Sequence, residues 1–478
     1  MKRILLVEPS GGYIRLDRCM QSINSWGGAY RFPLNLARIA AHLSSIGYKL
    51  DFIDLQADKT SNLKEKVTQF KPDLCILSCG FPSMRIDSET ARDIKQISNK
   101  IHVSTFGVAP TLLNDSFFNF DTWGFKIHFD SIVVGGEPAL GYEELISNTE
   151  IKEKAIIKSS LKKVKAIKTQ LARPLFNHSL YKSPFTGQNA TYIEGTYGCP
   201  FRCNFCVVPV LYEGRFSRRT PQDIINEFKY VIENDNVSQI TLWDEGTTFQ
   251  KSFIRELCDG LIELRKSKDE RFRNFVWTTR STTALLDEEI VEKMSKSGLS
   301  GITLGIESFS DSVLEKIEKN ISVDSNYEAI RLLKKYDIIS IGHFILGQLQ
   351  DTKQSVEYTI ESAINSDLNF AQFYCAVPYP GTKLYDMASP LNLIRETNFT
   401  KYELSNPIMD TMNDLSYLDI GNYRKEALNL FWTSKRWAKI DELLLKRGLS
   451  NNICKDKLKQ WSNSIDIQKQ VIFKDSSL

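Results

Sequence analysis

The chain has 478 residues, of which 25% are charged and 42% are hydrophobic, and its formal net charge is +3. This length predicts two or three domains, each large enough to bury its own core. The sequence has no lysine or arginine block that would bind nucleic acid electrostatically, and no run of about eighteen apolar residues that would span a membrane. We therefore expect a soluble cytoplasmic protein with no nucleic-acid partner and no membrane span.

Residues 1–150 alternate short apolar runs with amphipathic stretches, which predicts a doubly wound, Rossmann-like parallel sheet. The strand candidates are RILLVEP, KLDFIDL, DLCILSCG, IHVSTFG and SIVVGGEP. Ligands of such sheets bind at the carboxyl ends of the strands. Those ends carry small or turn-forming residues, namely Ser78, Gly80, Gly107, Thr111, Gly135 and Gly136.

The remainder of the chain predicts a linker, a barrel and a tail. Residues 151–188 are lysine-rich and weakly periodic, as expected of a linker. Residues 189–390 contain six strand candidates separated by helical patterns, which predicts an open (βα)6 partial barrel with its chemistry at the C-terminal strand ends. Residues 391–478 predict a small helical domain. Its aromatic residues either pack the tail on the barrel or cap a substrate: Phe431, Trp432 and Trp437.

The segment GCPFRCNFC, residues 198–206, places three cysteines in a C-x3-C-x2-C pattern. Structural zinc sites use four ligands and usually paired C-x2-C knuckles, and this chain has no second knuckle. A [4Fe–4S] cluster held by three cysteines leaves one iron open for a substrate or cofactor to chelate. Zinc and a redox-only cluster remain as alternatives. The other six cysteines are expected to be mostly small buried hydrophobic residues: Cys19, Cys75, Cys79, Cys258, Cys375 and Cys454.

The cysteine loop, with Phe205 before its last cysteine, follows a strand and opens a βα barrel, and in this it resembles the radical S-adenosylmethionine (radical SAM) superfamily. The segments GITLGIES, FILGQLQDT and PYPGTKLY extend the resemblance over residues 190–390. It implies that Cys199, Cys203 and Cys206 hold a [4Fe–4S] cluster and that Phe205 lies beside the cofactor. It also implies that S-adenosylmethionine chelates the open iron and is cleaved to a 5′-deoxyadenosyl radical. A low-potential electron donor, flavodoxin or ferredoxin, would then be a partner.

Further site residues follow from the resemblance by motif position. The second barrel strand of the family usually ends in Gly-Gly-Glu, and here Asp244 or Glu245 would accept from the methionine ammonium. Arg280 and Ser281 would bind the methionine carboxylate or the ribose hydroxyls. The remaining candidates are Glu307 and Ser308 for the ribose or the substrate, and His343 and Tyr379 for the substrate. For each of these residues strand-end packing, an ion pair or a capping role is the alternative.

The N-terminal domain, with FPLNLARIAAHLSSIGYKLDFIDL near its start and IVVGGEPAL near its end, resembles the cobalamin-binding domain of the cobalamin-dependent (class B) radical SAM enzymes. The resemblance implies that the six strand-end residues of this domain line the nucleotide tail and the corrin rim. The D-x-H-x-x-G motif that supplies a lower cobalt ligand is absent. The alternative is a domain that has lost its cofactor and only shapes the substrate channel.

These features together predict an enzyme that methylates an unactivated carbon of a small metabolite, using methylcobalamin and the 5′-deoxyadenosyl radical. A cyclase, an oxidase or a rearrangement enzyme built from the same domains is the first alternative. A sensor that binds cobalamin or an iron–sulfur cluster without turnover is the second. Because the sequence contains no separate peptide-recognition domain, a small metabolite is favoured over a ribosomal peptide.

Overall fold

The computed structural model describes residues 3–10, 14–16, 20–22, 29–119, 124–148, 153–159, 169–183, 185–447, 449 and 463. Cys19, Cys454, part of the predicted linker and most of residues 448–478 lie outside this range. Within the described residues, every helix is too short or too polar to span a bilayer.

The N-terminal domain is a six-stranded parallel sheet in the order β4-β1-β5-β6-β7-β8. Its first five strands were predicted from their apolar runs, and the structure confirms them. The elements are β1 Arg3–Glu8, β2 Ile14–Leu16, β3 Met20–Ser22, α1 Leu34–Ser45, β4 Lys49–Asp54, α2 Leu63–Phe70, β5 Leu74–Ser78, α3 Met84–Ile97, β6 His102–Phe106, α4 Val108–Leu113, β7 Ser131–Val134, α5 Pro138–Ser147 and β8 Ala155–Lys158.

Strand β8 lies inside the range that the sequence predicts as linker. It pairs in parallel with β7, so the sheet continues past the predicted boundary at residue 150. Only four residues long and at the sheet edge, β8 has no fully buried residue. A half-buried edge strand does not need the continuous apolar run that identifies the other strands.

The second domain is a sheet of six parallel strands in sequential order, with β9 and β16 at its two edges. It is therefore an open partial barrel, as predicted. Its elements are β9 Ala190–Ile193, β10 Thr196–Gly198, α6 Val208–Leu211, β11 Phe216–Arg218, α7 Pro221–Asn234, β12 Gln239–Leu242, α8 Lys251–Arg265, α9 Glu270–Asn274, β13 Val276–Ser281, α10 Glu288–Lys296, β14 Leu299–Glu307, α11 Asp311–Lys316, α12 Val323–Lys335, β15 Ile339–Leu346, α13 Lys353–Asn365, β16 Phe370–Cys375 and α14 Lys383–Ala388.

The tail contributes two helices, α15 Tyr417–Phe431 and α16 Ser434–Lys446. Trp432 and Trp437 stack with their ring centroids 4.7 Å apart, and Trp432 meets the ring of Phe370 in β16 at 5.6 Å. These aromatic residues therefore pack the tail on the barrel, which was one of the two predicted roles. Residues 391–416, which precede these helices, contain turns and a short 3₁₀ helix.

The two domains meet at a buried cation. Arg38 of α1 forms an ion pair with Glu137 and lies 2.9 Å from the carboxylate of Glu194, which follows β9. Its guanidinium carbon is also 4.6 Å from the ring centroid of Tyr197. Burial alone would lower the pKa of Arg38, but the charge and hydrogen bond of Glu137, together with Tyr197 and Tyr212, outweigh this effect and raise the pKa. The cation therefore remains charged and joins the N-terminal domain to the barrel.

A second buried network joins the segment before β9 to helix α7. Glu227 of α7 accepts from Arg173 at 2.8 Å and from Arg219 at 2.5 Å, and all three side chains are almost fully buried. Burial alone would raise the pKa of Glu227. The guanidinium groups of Arg219 and Arg173 more than offset this and hold the pKa at about 2. The carboxylate is thus the shared anion of two buried cations.

Replacing Glu227 with glutamine should lower the free energy of unfolding by about 3 kcal/mol at pH 7, because both guanidinium groups lose their anion. The folded pKa lies below the ordinary value of 4.5, so the stabilisation is present above that pH and is lost as the pH falls towards 2. Urea denaturation followed by circular dichroism measures the change. Glu233→Gln, on the exposed side of the same helix, is the matched control and should cost under about 0.5 kcal/mol. An equal loss of the free energy of unfolding in both variants would contradict the role of Glu227 as the shared counter-ion of the two arginines.

Candidate active site

The cysteine loop begins at a backbone position that only glycine suits. Gly198 has φ +74°, and a Cβ there would lie 2.0 Å from the carbonyl oxygen of Arg215 on the paired strand. Further along the loop, Asn204 donates from its backbone N–H to Ile317 and from its side chain to the carbonyl of Lys316, both at 3.1 Å. Its carbonyl accepts from the N–H of Leu384 at 2.9 Å. The loop is therefore fixed to the turn after α11 and to the start of α14.

The three thiols are half-buried and line one cavity. Burial raises the pKa of Cys199 to about 12, and burial also raises the pKa of Cys203. These thiols are therefore protonated in the metal-free protein, and binding of a metal would release their protons.

The donor set is of the type that an iron–sulfur cluster uses. Three cysteine thiols of one loop line the same cavity, and a [4Fe–4S] cluster held by three cysteines keeps one iron open for a further ligand. Among the described residues, no group of three or more histidine, cysteine, aspartate or glutamate side chains is arranged around a single ion position.

The cavity lies at the C-terminal ends of the barrel strands and has a volume of about 250 Å³. It brings together ten of the residues that the sequence proposed, from three barrel strands, the segment after β12, the cysteine loop and the turn after β16. These are Cys199, Cys203, Phe205, Cys206, Glu245, Arg280, Ser281, Glu307, His343 and Tyr379.

The two acids after β12 have different surroundings. Asp244 is buried, and its Oδ1 accepts from the N–H groups of Gly195 and Thr196 at 2.7 and 2.8 Å. Glu245 lines the cavity, with its Oε2 at 3.9 Å from Nη1 of Arg280. The choice that the sequence left open therefore favours Glu245 as the cofactor-facing acid, while Asp244 braces the connection between β9 and β10.

The end of β14 turns a carboxylate into the cavity. Glu307 has φ +63°, and the pairing of β14 with β15 shifts register between Gly305 and Glu307. A non-glycine residue in this region is strained, and such strain concentrates at functional sites. Ser308 points elsewhere, since its hydroxyl bonds to that of Thr359 at 3.0 Å. Ser308 is thus not brought to the cavity, whereas Ser281 lines it while bonded to Thr248 at 2.5 Å.

Lys319 was not identified from the sequence, yet it lines the cavity and pairs with Glu307. A Cβ on Gly305 would lie 2.2 Å from its Nζ, so a larger residue at position 305 would displace the ammonium. Burial would lower the pKa of Lys319, but Glu307, Cys203 and Cys206 outweigh burial and raise it. A lysine in a polar turn is typical of a surface residue. Its placement depends on the hydrogen bonds of Asn204 to that turn, which the sequence does not predict.

The two residues predicted to touch substrate both line the cavity. The ring of His343 meets that of Tyr374 edge-on at 5.1 Å. Burial, followed by the charges of Arg280, Lys319 and Arg31, lowers the pKa of His343 well below its usual value, so the imidazole is neutral near pH 7. The hydroxyl of Tyr379 donates to the carbonyl of Tyr402 at 3.2 Å. This bond matches its packing alternative, and a substrate contact for either residue stays a prediction.

The six candidates of the N-terminal domain lie at or just past the adjacent ends of β5, β6 and β7. A Cβ on Gly107 would lie 2.2 Å from the carbonyl oxygen of Cys79, and one on Gly136 would lie 2.6 Å from the ring of Tyr212. Gly135 packs in the same way against Ser159.

The hydroxyl groups at these strand ends have partners within the protein. Ser78 donates to Glu8 at 3.0 Å, and Thr111 accepts from the N–H of Gly135 at 3.1 Å. Gly80 is buried in the loop after β5. Internal packing thus explains Gly107, Gly135 and Gly136 without a ligand, and a cobalamin-binding role for the six residues stays a prediction.

Comparison with known proteins identifies the class of the second domain. Residues 193–363 match the family model of the Radical SAM superfamily. An uncharacterized methyltransferase of Pyrococcus horikoshii is 25% identical over 79% of this chain and 83% of its own length. An anaerobic magnesium-protoporphyrin IX monomethyl ester cyclase of Cereibacter sphaeroides is 25% identical over 88% of this chain and 70% of its own.

A solved structure has the same two-domain fold. The radical S-adenosylmethionine methyltransferase TsrM from Kitasatospora setae, with cobalamin and a [4Fe–4S] cluster bound, aligns over 98% of this chain and 99% of its own, with TM-score 0.63 and 13% identity. Residues 193–363 are therefore a radical SAM domain. The Rossmann-like domain followed by the partial barrel is the fold that TsrM shares with this chain.

Replacing Cys199, Cys203 or Cys206 with alanine should abolish cluster binding, because each removes one of three thiolate ligands. Iron and sulfide content after anaerobic reconstitution measures the effect, together with the cluster absorbance. Cys258→Ala, a buried cysteine of α8, is the control and should keep the full iron content. A full iron content in any of the three loop variants would refute the assignment.

Glu245→Gln and Asp244→Asn should separate cofactor binding from stability. Glu245→Gln should weaken S-adenosylmethionine binding about tenfold, as expected for loss of a charge-assisted hydrogen bond, with little change in unfolding. Asp244→Asn should instead lower the free energy of unfolding by about 2 kcal/mol, because two buried N–H groups lose a carboxylate acceptor. Equilibrium dialysis and urea denaturation measure the two effects. The reverse pattern would exchange the two roles.

Proposed function

We propose that this enzyme is a cobalamin-dependent radical SAM methyltransferase that methylates an unactivated carbon of a small molecule. The observation that carries the proposal is the convergence of the three-cysteine loop with Glu245, Arg280, Glu307 and Lys319 around one cavity. The relatives named as methyltransferases, one in Pyrococcus and one in Kitasatospora, support the reaction type.

The residues of the cavity are suited to hold the cluster and S-adenosylmethionine. When bound, this pair supplies a 5′-deoxyadenosyl radical. Cys199, Cys203 and Cys206 would ligate three irons, and Phe205 on the same loop forms part of the wall. Glu245 can accept hydrogen bonds from the methionine ammonium, and Arg280 can donate to the methionine carboxylate.

The cavity wall also has features that protect a reactive species. The β16 side of the wall contains Tyr374, Ala376, Val377 and Tyr379, which are mainly apolar and limit access of water. Beside Tyr374, the imidazole of His343 is neutral near pH 7 and can accept a proton at a ring nitrogen. We propose His343 as the proton acceptor nearest to the substrate.

Cobalamin binding is proposed from the architecture. TsrM, which has the same two-domain fold, holds cobalamin in its solved structure. Ser78, Gly80, Gly107, Thr111, Gly135 and Gly136 would line the cofactor at the strand ends of the Rossmann-like domain. Because this domain lacks the D-x-H-x-x-G motif, any lower cobalt ligand would have to come from outside that motif.

A cyclisation reaction is the second candidate. The relative from Cereibacter sphaeroides that covers 88% of this chain is named as a ring-forming cyclase. Methylation adds one methylene unit to the product and yields S-adenosylhomocysteine. Cyclisation yields no S-adenosylhomocysteine. For either reaction, we propose that a flavodoxin or a ferredoxin is the electron donor and that the enzyme is cytoplasmic.

The first experiment is anaerobic reconstitution with iron, sulfide and hydroxocobalamin, followed by desalting and metal analysis. The expected result is about four irons and one cobalt per chain. Addition of dithionite and S-adenosylmethionine should then release 5′-deoxyadenosine, with the Cys203→Ala variant as the inactive control. Four irons without cobalt would overturn the cobalamin proposal, and absence of 5′-deoxyadenosine would overturn the radical reaction.

A further inference from the structure

A second cavity of about 70 Å³ lies inside the barrel, towards the N-terminal ends of the strands. It shares Trp243, Arg280 and Thr303 with the cavity of the cysteine loop. The two cavities therefore adjoin at these three side chains, and a molecule seated in the interior could extend towards the cluster.

The interior cavity is positively charged. Arg31, Lys182 and Arg280 line it, and among the described residues its lining contains no carboxylate. Hydroxyl groups supply most of the remaining polar surface, including those of Thr241 and Thr278, which bond to each other at 2.9 Å. Cations and hydroxyl groups together are hydrogen-bond donors suited to an anion.

Two of the cations are held against one aromatic side chain. The guanidinium carbon of Arg280 is 3.5 Å from the ring centroid of Trp243, and that of Arg31 is 4.8 Å from it. Arg31 also lies 5.8 Å from the ring centroid of Tyr192. Stacking on aromatic faces limits the rotamers of both guanidinium groups, so little side-chain freedom is lost when they bind a ligand.

The same cations also act on the catalytic cavity. Arg280, Lys319 and Arg31 all contribute to the lowered pKa of His343. Lys319 is paired with Glu307, and Glu245 lies 3.9 Å from Arg280. Of these three cations, Arg31 and Arg280 line the barrel interior. An anion bound there would reduce the repulsion among the three cations.

We propose that the barrel interior binds an anionic group of the substrate, a carboxylate or a phosphate, between Arg31 and Arg280. The remainder of the substrate then passes Trp243 into the cavity of the cysteine loop. The identity of the occupant as the substrate rests on the proposed function, whereas the anion site itself does not. Arg31 is the specificity-determining residue, and Arg280 stands between the anion site and the cofactor.

The test uses benzoate, phenyl phosphate and the uncharged isostere benzamide as probes, titrated calorimetrically into the full-length reconstituted protein. At least one of the two anions should bind at least about tenfold more tightly than benzamide, because only an anion accepts charge-assisted hydrogen bonds. The anion that binds more tightly identifies the anionic group of the substrate as a carboxylate or a phosphate. Equal binding of all three probes would overturn the proposal. Absence of binding up to about 10 mM, which is near the weakest affinity that calorimetry detects, would overturn it as well.

Substitutions of Arg31 test whether the anion binds in the barrel interior. Arg31→Met should weaken binding of the tighter anion about tenfold, and Arg31→Lys should weaken it less, because the charge is kept. Arg331→Met, on the exposed face of α12, is the matched control and should bind as the unaltered protein does. Unchanged anion affinity in Arg31→Met would overturn the proposal, provided that circular dichroism and iron content match those of the control.

Two further measurements separate this proposal from the proposed function. Arg31→Met should keep its affinity for S-adenosylmethionine, measured by equilibrium dialysis, since the cofactor is assigned to the other cavity. Parallel loss of S-adenosylmethionine binding would place Arg31 at the cofactor and overturn the anion site. Selective anion binding by a protein that releases no 5′-deoxyadenosine would refute the radical reaction and leave the anion site standing.

Discussion

The arrangement of the two domains depends on one buried cation, Arg38. It connects helix α1 of the Rossmann-like domain with Glu137 at the end of its sheet and with Glu194 at the end of the first barrel strand. A buried charge is tolerated only with well-placed counter-charges, and loss of one partner typically costs about 3–5 kcal/mol. Because Arg38 has two carboxylates from two domains, its requirement for counter-charge also fixes how the domains meet.

The same contacts lead directly to the cysteine loop. Glu194 is followed by Gly195 and Thr196, whose N–H groups are held by Asp244 of the next barrel unit. Tyr197 then packs under the guanidinium of Arg38, and Gly198 turns the chain into the loop. The position of the thiols is thus determined by contacts of five consecutive residues, Glu194 to Gly198. A hydrophobic core alone would leave this loop less precisely oriented, since apolar contacts are not directional.

Charge is distributed unevenly between the two cavities. This distribution distinguishes the proposed anion site in the barrel interior from the reactive cavity beside the cysteine loop. Lys319 and Glu307 form an ion pair beside the cysteine loop, whereas the barrel interior has cations without a carboxylate in its described lining. Burial, followed by the charges of nearby cations, lowers the pKa of His343 and keeps the imidazole neutral near pH 7. The β16 side of the cavity wall is mainly apolar, so it excludes water and adds little charge to the cavity.

The amino-acid sequence by itself determined the local features. Eleven strands of the two sheets follow from apolar runs, because burial on both faces of a parallel sheet demands such runs. The cysteine spacing indicated a cluster, because its three ligands lie within eight residues. Only the tertiary structure distinguished Glu245 from its neighbour Asp244, turned Ser308 towards Thr359, and brought Lys319 and Arg31 to the cavities. These placements depend on contacts between residues that are far apart in the chain. Such contacts form only when the elements pack together, and they leave no periodic pattern in the sequence.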